Sequence, residues 1–290
     1  MKPKETINLY RVISLLVIAL VTFGVMGGLC AKSHLYPDEW LSMFFLTLIF
    51  LLVCMFELEY ERKQKGISAN TQTTFIRLSV TYTVSGGLIY AISYLPEFYR
   101  PVMIPVILLT AVSNSMVAVS FGLFFDLVLA LTVGGSFYAL AAYMMLTMLA
   151  AVLAQALKEK KYRMGVSLLT FFFSLMIPEL FSYLSTKEMQ KYSLLYAFGT
   201  ALLTFLTAAF LFHRLLHEAD QEIENHLLDI VSEDYSEVKA LKDFSMVEYR
   251  HAVKVSDIAC RCAKEVGYRA NLCLAGGFYY RMGRWIGEPY

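Results

Sequence analysis

Apolar residues in this chain come in runs of about 15 to 22, the length a helix needs to cross a hydrocarbon core. Polar residues gather in short gaps between the runs and in one long stretch after His213. Read in order, the pattern predicts about eight spans: 10–30, 40–57, 77–95, 102–119, 121–133, 136–157, 165–185 and 192–212. Residues 101–157 are almost continuously apolar, and small residues set the divisions there, at Ser120–Gly122 and at Gly134–Gly135. Gly86 and Gly87 interrupt the third run. The short piece 121–133 could instead be a re-entrant segment covered by neighbouring helices. The first run follows Lys2, Lys4 and Arg11, as in a secretory signal. It is too long for one, and no small-x-small cleavage site follows, so it reads as a retained span.

Charge placement decides between these divisions. Arg62, Lys63, Lys65 and Arg77 fill the 57–77 gap, and Lys158, Lys160, Lys161 and Arg163 the next basic one. The positive-inside rule puts both on the cytoplasmic side together with the N-terminus. The gaps 31–39, 96–100 and 186–191 then fall outside. This parity requires three crossings within 101–157, because a re-entrant piece would turn 158–163 outward. The expectation is therefore a multi-pass protein of a cytoplasmic membrane, both ends inside, with the lipid bilayer as its main partner.

Composition agrees. The chain is 58% hydrophobic and 17% charged, against about half and about a quarter for a soluble domain. The net charge of +1 averages over two unlike regions. There is no basic tail or arginine stripe, so a nucleic-acid polymer is not an expected partner. Cys30 and Cys54 lie in spans, and Cys260, Cys262 and Cys273 in the tail. The Cys260-x-Cys262 spacing has no histidine-rich partner segment. These read as packing thiols rather than zinc ligands.

Asn114, Asp126 and Glu179 interrupt the apolar runs and form a candidate intramembrane polar site. Asp126 stands close to a predicted boundary, where it could face the headgroups instead.

The tail reads as helical too, which makes the whole chain all-α. Leu216, Ala219, Ile223, Leu227 and Ile230 recur at three and four residues. That spacing predicts an amphipathic connecting helix within 213–242, able to pair with a second copy as a short coiled coil. Two soluble helices are expected after it, about 246–266 and 270–284.

The last 45 residues hold Tyr249-Arg250-His251-Ala252, then Gly267-Tyr268-Arg269-Ala270-Asn271, then Gly277-Phe278-Tyr279-Tyr280-Arg281-Met282-Gly283-Arg284. This series resembles the opening of an HD-type phosphohydrolase domain. It is most similar to the seven-transmembrane HD family of bacterial cyclic-di-AMP phosphodiesterases. The resemblance implies an initial span, an extracellular domain, seven further spans and a cytoplasmic catalytic domain. Here residues 31–39 stand where the extracellular domain would be. It also implies divalent metals held by a histidine of the first motif and a His-Asp pair of the second. Tyr280 and Arg281 occupy the pair's positions, Arg284 replaces the family's following lysine, and only His251 remains. The chain stops at Tyr290, before the remaining ligands would occur, and 243–290 reads as part of a longer domain. The expectation is a degenerate domain with no metal and no hydrolysis, in which Arg281 and Arg284 are candidate phosphate contacts for a cyclic dinucleotide.

The run Gly122-Leu-Phe-Phe-Asp126-Leu127 also resembles the small rod-shape membrane proteins of the MreD type. That keeps open a non-enzymatic envelope scaffold, or a transporter-like protein.

Overall fold

A computed structural model describes residues 9–280 apart from 34, 66–71, 134, 160 and 189–191. Every element among these residues is helical: α1 (Leu9–Lys32), α2 (Pro37–Lys65), α3 (Gln72–Ile92), α4 (Met103–Val112), α5 (Ser115–Thr132), α6 (Phe137–Leu157), α7 (Arg163–Thr186), α8 (Ser193–Leu206), α9 (Phe212–Asp229), α10 (Ser236–Phe244), α11 (Met246–Val266) and α12 (Ala270–Tyr279). A one-turn 3₁₀ helix lies at Glu97–Tyr99 and a π-helical turn at Thr207–Leu211. The chain divides into two compact units, Met1–His217 and Glu218–Tyr290.

Seven helical runs among the described residues are long and apolar enough to cross a membrane. They are α1, α2 to Lys63, α3 from Thr74, α5, α6, α7 and the run Ser193–Asp229. This is a multi-pass membrane protein. One of the eight expected spans, 102–119, is not a full one. Its helix α4 has 10 residues, or about 15 Å, half of a ~30 Å hydrocarbon core.

The division of 101–157 also moves. The chain breaks at Ser113–Asn114, and α5 runs straight through Ser120–Gly122. Gly122 is a contact point and does not end a helix. A Cβ there would lie 2.6 Å from Thr147 Cγ2 and 2.8 Å from Val106 Cγ2. Likewise α3 continues through Gly86 and Gly87. A Cβ at Gly86 would meet Val21 Cγ1 at 2.8 Å, where α3 packs on α1. Small residues in membrane helices bring backbones close, so they mark packing as often as punctuation. The break expected near Gly135 is present, between α5 and α6.

Because Val106 meets Gly122, α4 and α5 run antiparallel about the 113–114 turn. Side-chain bonds fix which ends meet. Arg11 with Glu59 (2.5 Å), Ser113 with Glu61 (2.7 Å) and Gln155 with Ser115 (2.8 Å) gather at one end of the unit. Lys32 with Ser93 (2.9 Å) and Ser136 with Glu97 gather at the other. The short α4 therefore carries the chain from the Ser93 end to the Glu61 end. The irregular segment 93–102, which dips into the bundle, supplies the remaining distance.

The unit is apolar outside and partly polar inside. Leu20, Leu52, Phe56, Leu195 and Phe210 are each about two-thirds exposed or more, a surface that only lipid covers without penalty. Thr22, Thr47, Thr110, Thr147 and Thr204 are buried. Thr22, Thr47, Thr110 and Thr204 each bond the carbonyl four residues back, at 2.7–2.8 Å. Their hydroxyls are thus satisfied within the helix while their small side chains allow close approach. Thr22 also meets Tyr82 across α1 and α3 at 2.7 Å.

The second unit packs α10, α11 and α12 around Val238, Leu241, Ala252 and Phe278. The amphipathic helix of the tail ends at Asp229, short of the 213–242 expectation, and a turn at 230–235 separates it from α10. Ser245 caps α11 by accepting from the Glu248 N–H at 3.3 Å. Gly267 ends it with φ +76°, a left-handed conformation that suits glycine. Helix α11 matches the predicted 246–266. Helix α12 starts at the predicted residue 270 and runs to Tyr279; residues 281–284 of the predicted helix lie outside the described residues, as do 285–290.

Candidate functional site

Three groups of polar side chains merit a functional reading, two of them in the membrane unit.

The first lies along one face of α6. Tyr143 and Thr147 are one turn apart on that face. Tyr143 donates its phenol proton to the Glu97 carbonyl and accepts from Arg100 Nη1 at 3.2 Å. Thr147 donates to Asp126 Oδ2 at 2.7 Å. Asp126 is 1% exposed and Arg100 4%. The Asp126 Oδ1 atom is buried without a hydrogen-bond partner. Among the described residues Arg100 has no carboxylate at ion-pair distance; its other bond is to the Leu95 carbonyl at 3.4 Å. The group therefore holds a buried acid and a buried guanidinium joined through hydroxyls rather than to each other.

Asp126 thus packs inside the bundle rather than on its outer surface. Glu179 is elsewhere: it accepts from the Tyr99 phenol at 3.4 Å, where Tyr99 stacks on Tyr196. Asn114 is the N-cap residue of α5 at the 113–114 turn, and accepts from the Ser115 hydroxyl at 3.3 Å. It stands about 18 Å along the helix from Asp126, at about 1.5 Å per residue. The three residues expected to share one intramembrane site are in three places.

The second group was hidden by the predicted end of the second span at residue 57. Helix α2 continues to Lys65, which brings Glu57 and Glu61 against the bundle. Ser120 donates to Glu57 Oε1 at 2.8 Å and Ser113 to Glu61 Oε2 at 2.7 Å. The signal was available: Glu57, Glu59 and Glu61 alternate with Leu58 and Tyr60, so the polar composition hid a helix with no breaker.

The third group is in the second unit. His251 Nε2 and the Tyr280 hydroxyl are 2.6 Å apart, which joins the start of α11 to the end of α12. The approach is set by Gly277, whose added Cβ would meet Ser256 Cα at 3.0 Å. Beside this pair, Tyr279 donates to the Ile230 carbonyl at 2.5 Å and Tyr249 to Glu233 at 3.3 Å. Arg281 and Arg284 lie outside the described residues. Cys260 is buried and Cys262 exposed, so the two thiols point to opposite faces of α11.

Burial, with smaller contributions from Tyr235 and Glu237, pushes the Tyr279 phenol up to about 12. An unfolded tyrosine ionises near 10. The protonated, hydrogen-bonded form therefore stabilises the second unit below about pH 10, and that contribution is lost as pH rises towards about 12. Thermal unfolding of the full chain in detergent should fall across this window. The fall should be shallower in Tyr279→Phe; an equal slope in both proteins would rule the assignment out.

Comparison with protein-family models, curated proteins and solved structures finds no match to this chain.

Proposed function

We propose that this is a bacterial membrane signalling protein derived from the seven-transmembrane HD family, with a cytoplasmic domain that no longer hydrolyses its ligand. The carrying observation is the 2.6 Å contact between His251 and Tyr280. His251 is the remaining histidine of the first motif, and Tyr280 stands at the first position of the pair. In a metal-dependent relative, ligands from these two motifs must converge, and here the same two helix ends converge on a phenol.

The residues present do not suit a divalent metal. One imidazole nitrogen is occupied by the phenol, and a phenol with an ordinary pKa near 10 is a poor ligand at neutral pH. The next residue in sequence is Arg281, a fixed cation. Without an acidified metal-bound water there is no nucleophile for phosphodiester attack. In this reading both ends of the chain lie in the cytoplasm, and a cyclic dinucleotide is a ligand rather than a substrate.

The test uses the full chain in detergent with manganese and cyclic-di-AMP. Expected are no hydrolysis above the protein-free control and no further change in His251→Ala. Robust turnover that His251→Ala abolishes would overturn the reading. The scaffold alternative gains nothing specific from the run Gly122–Leu127. Gly122 and Asp126 both lean on Thr147, a packing junction that any helical bundle could use.

A further inference from the structure

A groove opens on the membrane-facing side of α2, α5 and α6, at the end of the unit that holds Glu59 and Glu61. Glu57, Ser115, Ser120 and Gln155 supply its polar groups. Its apolar walls include Met116, Met148 and Val152, which are 62%, 50% and 67% exposed. Glu57 lies about 9 Å before Lys63, where the span ends, at about 1.5 Å per residue. That depth is the boundary between headgroups and acyl chains.

The hydrogen-bond inventory decides what fits. Ser120 donates to Glu57 Oε1, and Gln155 Nε2 donates to Ser115 at 2.8 Å. Glu57 Oε2 is buried without a hydrogen-bond partner among the described residues, and among them Glu57 meets no cation. What the groove still offers is the negative charge of the Glu57 carboxylate and the Gln155 carbonyl, both acceptors. It calls for a cation carrying several N–H donors. A primary ammonium has three. A quaternary ammonium has none and is held instead by aromatic faces, and among the described residues no aromatic side chain lines this groove. A purely anionic headgroup would face Glu57 unfavourably.

We propose that this groove binds a phospholipid with a primary-amine headgroup of the ethanolamine class. The ammonium sits on Glu57 and Gln155, and one acyl chain lies along Met116, Met148 and Val152. This assignment rests on the membrane unit alone and does not depend on the HD reading.

The experiment is native mass spectrometry of the full chain in neutral detergent. Phosphatidylethanolamine, phosphatidylcholine and phosphatidylglycerol are offered in equal amounts. Expected is a single retained phosphatidylethanolamine, favoured about tenfold over the other two, the scale of one charge-assisted contact. Glu57→Gln keeps the side chain's size and its acceptor for Ser120, and should erase the preference. Glu179→Gln, at the other end of the unit, should not. If Glu57→Gln does not fold, Val152→Trp fills the groove from its exposed side and should remove the adduct. Equal retention of the three lipids, a choline or glycerol preference, or a preference that survives Glu57→Gln or Val152→Trp would overturn the proposal.

Discussion

Gly122→Val should be the most damaging single substitution in the membrane unit, with an expected loss of about 3 kcal/mol or more. A Cβ at this position already falls 2.6 Å from Thr147 Cγ2 and 2.8 Å from Val106 Cγ2. Both neighbours are β-branched, so their methyls cannot swing aside without leaving the favoured rotamer. Thr147 is also held by its bond to Asp126. Removing a helical glycine favours the helix by only about 1 kcal/mol, which is smaller than an overpacking cost of about 1–3 kcal/mol for Gly122→Ala. Sterics should win for alanine by a little and for valine by much more. Thermal unfolding in detergent gives the check. Thr147→Ser removes the nearest methyl and keeps the hydroxyl for Asp126, so it should recover part of the Gly122→Ala loss. Gly87→Ala is the control, since nothing lies within 4 Å of a Cβ there. It should be neutral or slightly stabilising. A Gly122→Val protein as stable as the parent would mean that α4, α5 and α6 do not meet as described.

The second large effect is expected at Tyr143. Its phenol accepts from Arg100 and donates to the Glu97 carbonyl, and both Arg100 and Tyr143 are buried. Tyr143→Phe strips a guanidinium that cannot lose its charge of one of its two partners. It also leaves the carbonyl without this donor. A cost of about 3 kcal/mol is expected, the scale of a buried charge deprived of a partner. Arg100→Met removes the charge itself and should cost less. In Tyr143→Phe/Arg100→Met the two losses should combine to well under their sum, because the phenol's main task has gone. Strict additivity in that cycle would show that the phenol does not support the guanidinium.

Most of the architecture was legible along the chain. Runs such as Leu9–Lys32 and Phe137–Leu157 are apolar on every face, so lipid is the only environment that covers them. The tail helix α11, expected over 246–266, forms over Met246–Val266. The sites were much less legible. Asn114, Asp126 and Glu179 looked alike as polar interruptions, yet one caps a helix, one packs in the interior and one meets Tyr99. Arg100 looked like part of an outside gap and is buried. Glu57 and Glu61 looked like the start of a loop and lie on a helix against the bundle. In each case the residue type was visible and its neighbours were not.

The sequence by itself determined that this chain is all-helical and multi-pass, because helix length and hydropathy are local properties that a backbone in lipid must satisfy segment by segment. Only the tertiary structure decided that ten residues of α4 turn back on α5, and that Gly122 joins helices rather than breaking one. It alone brought His251 to Tyr280 across 29 positions. Those outcomes depend on which side chains meet across helices, and nothing in the order of residues along one helix specifies its neighbour.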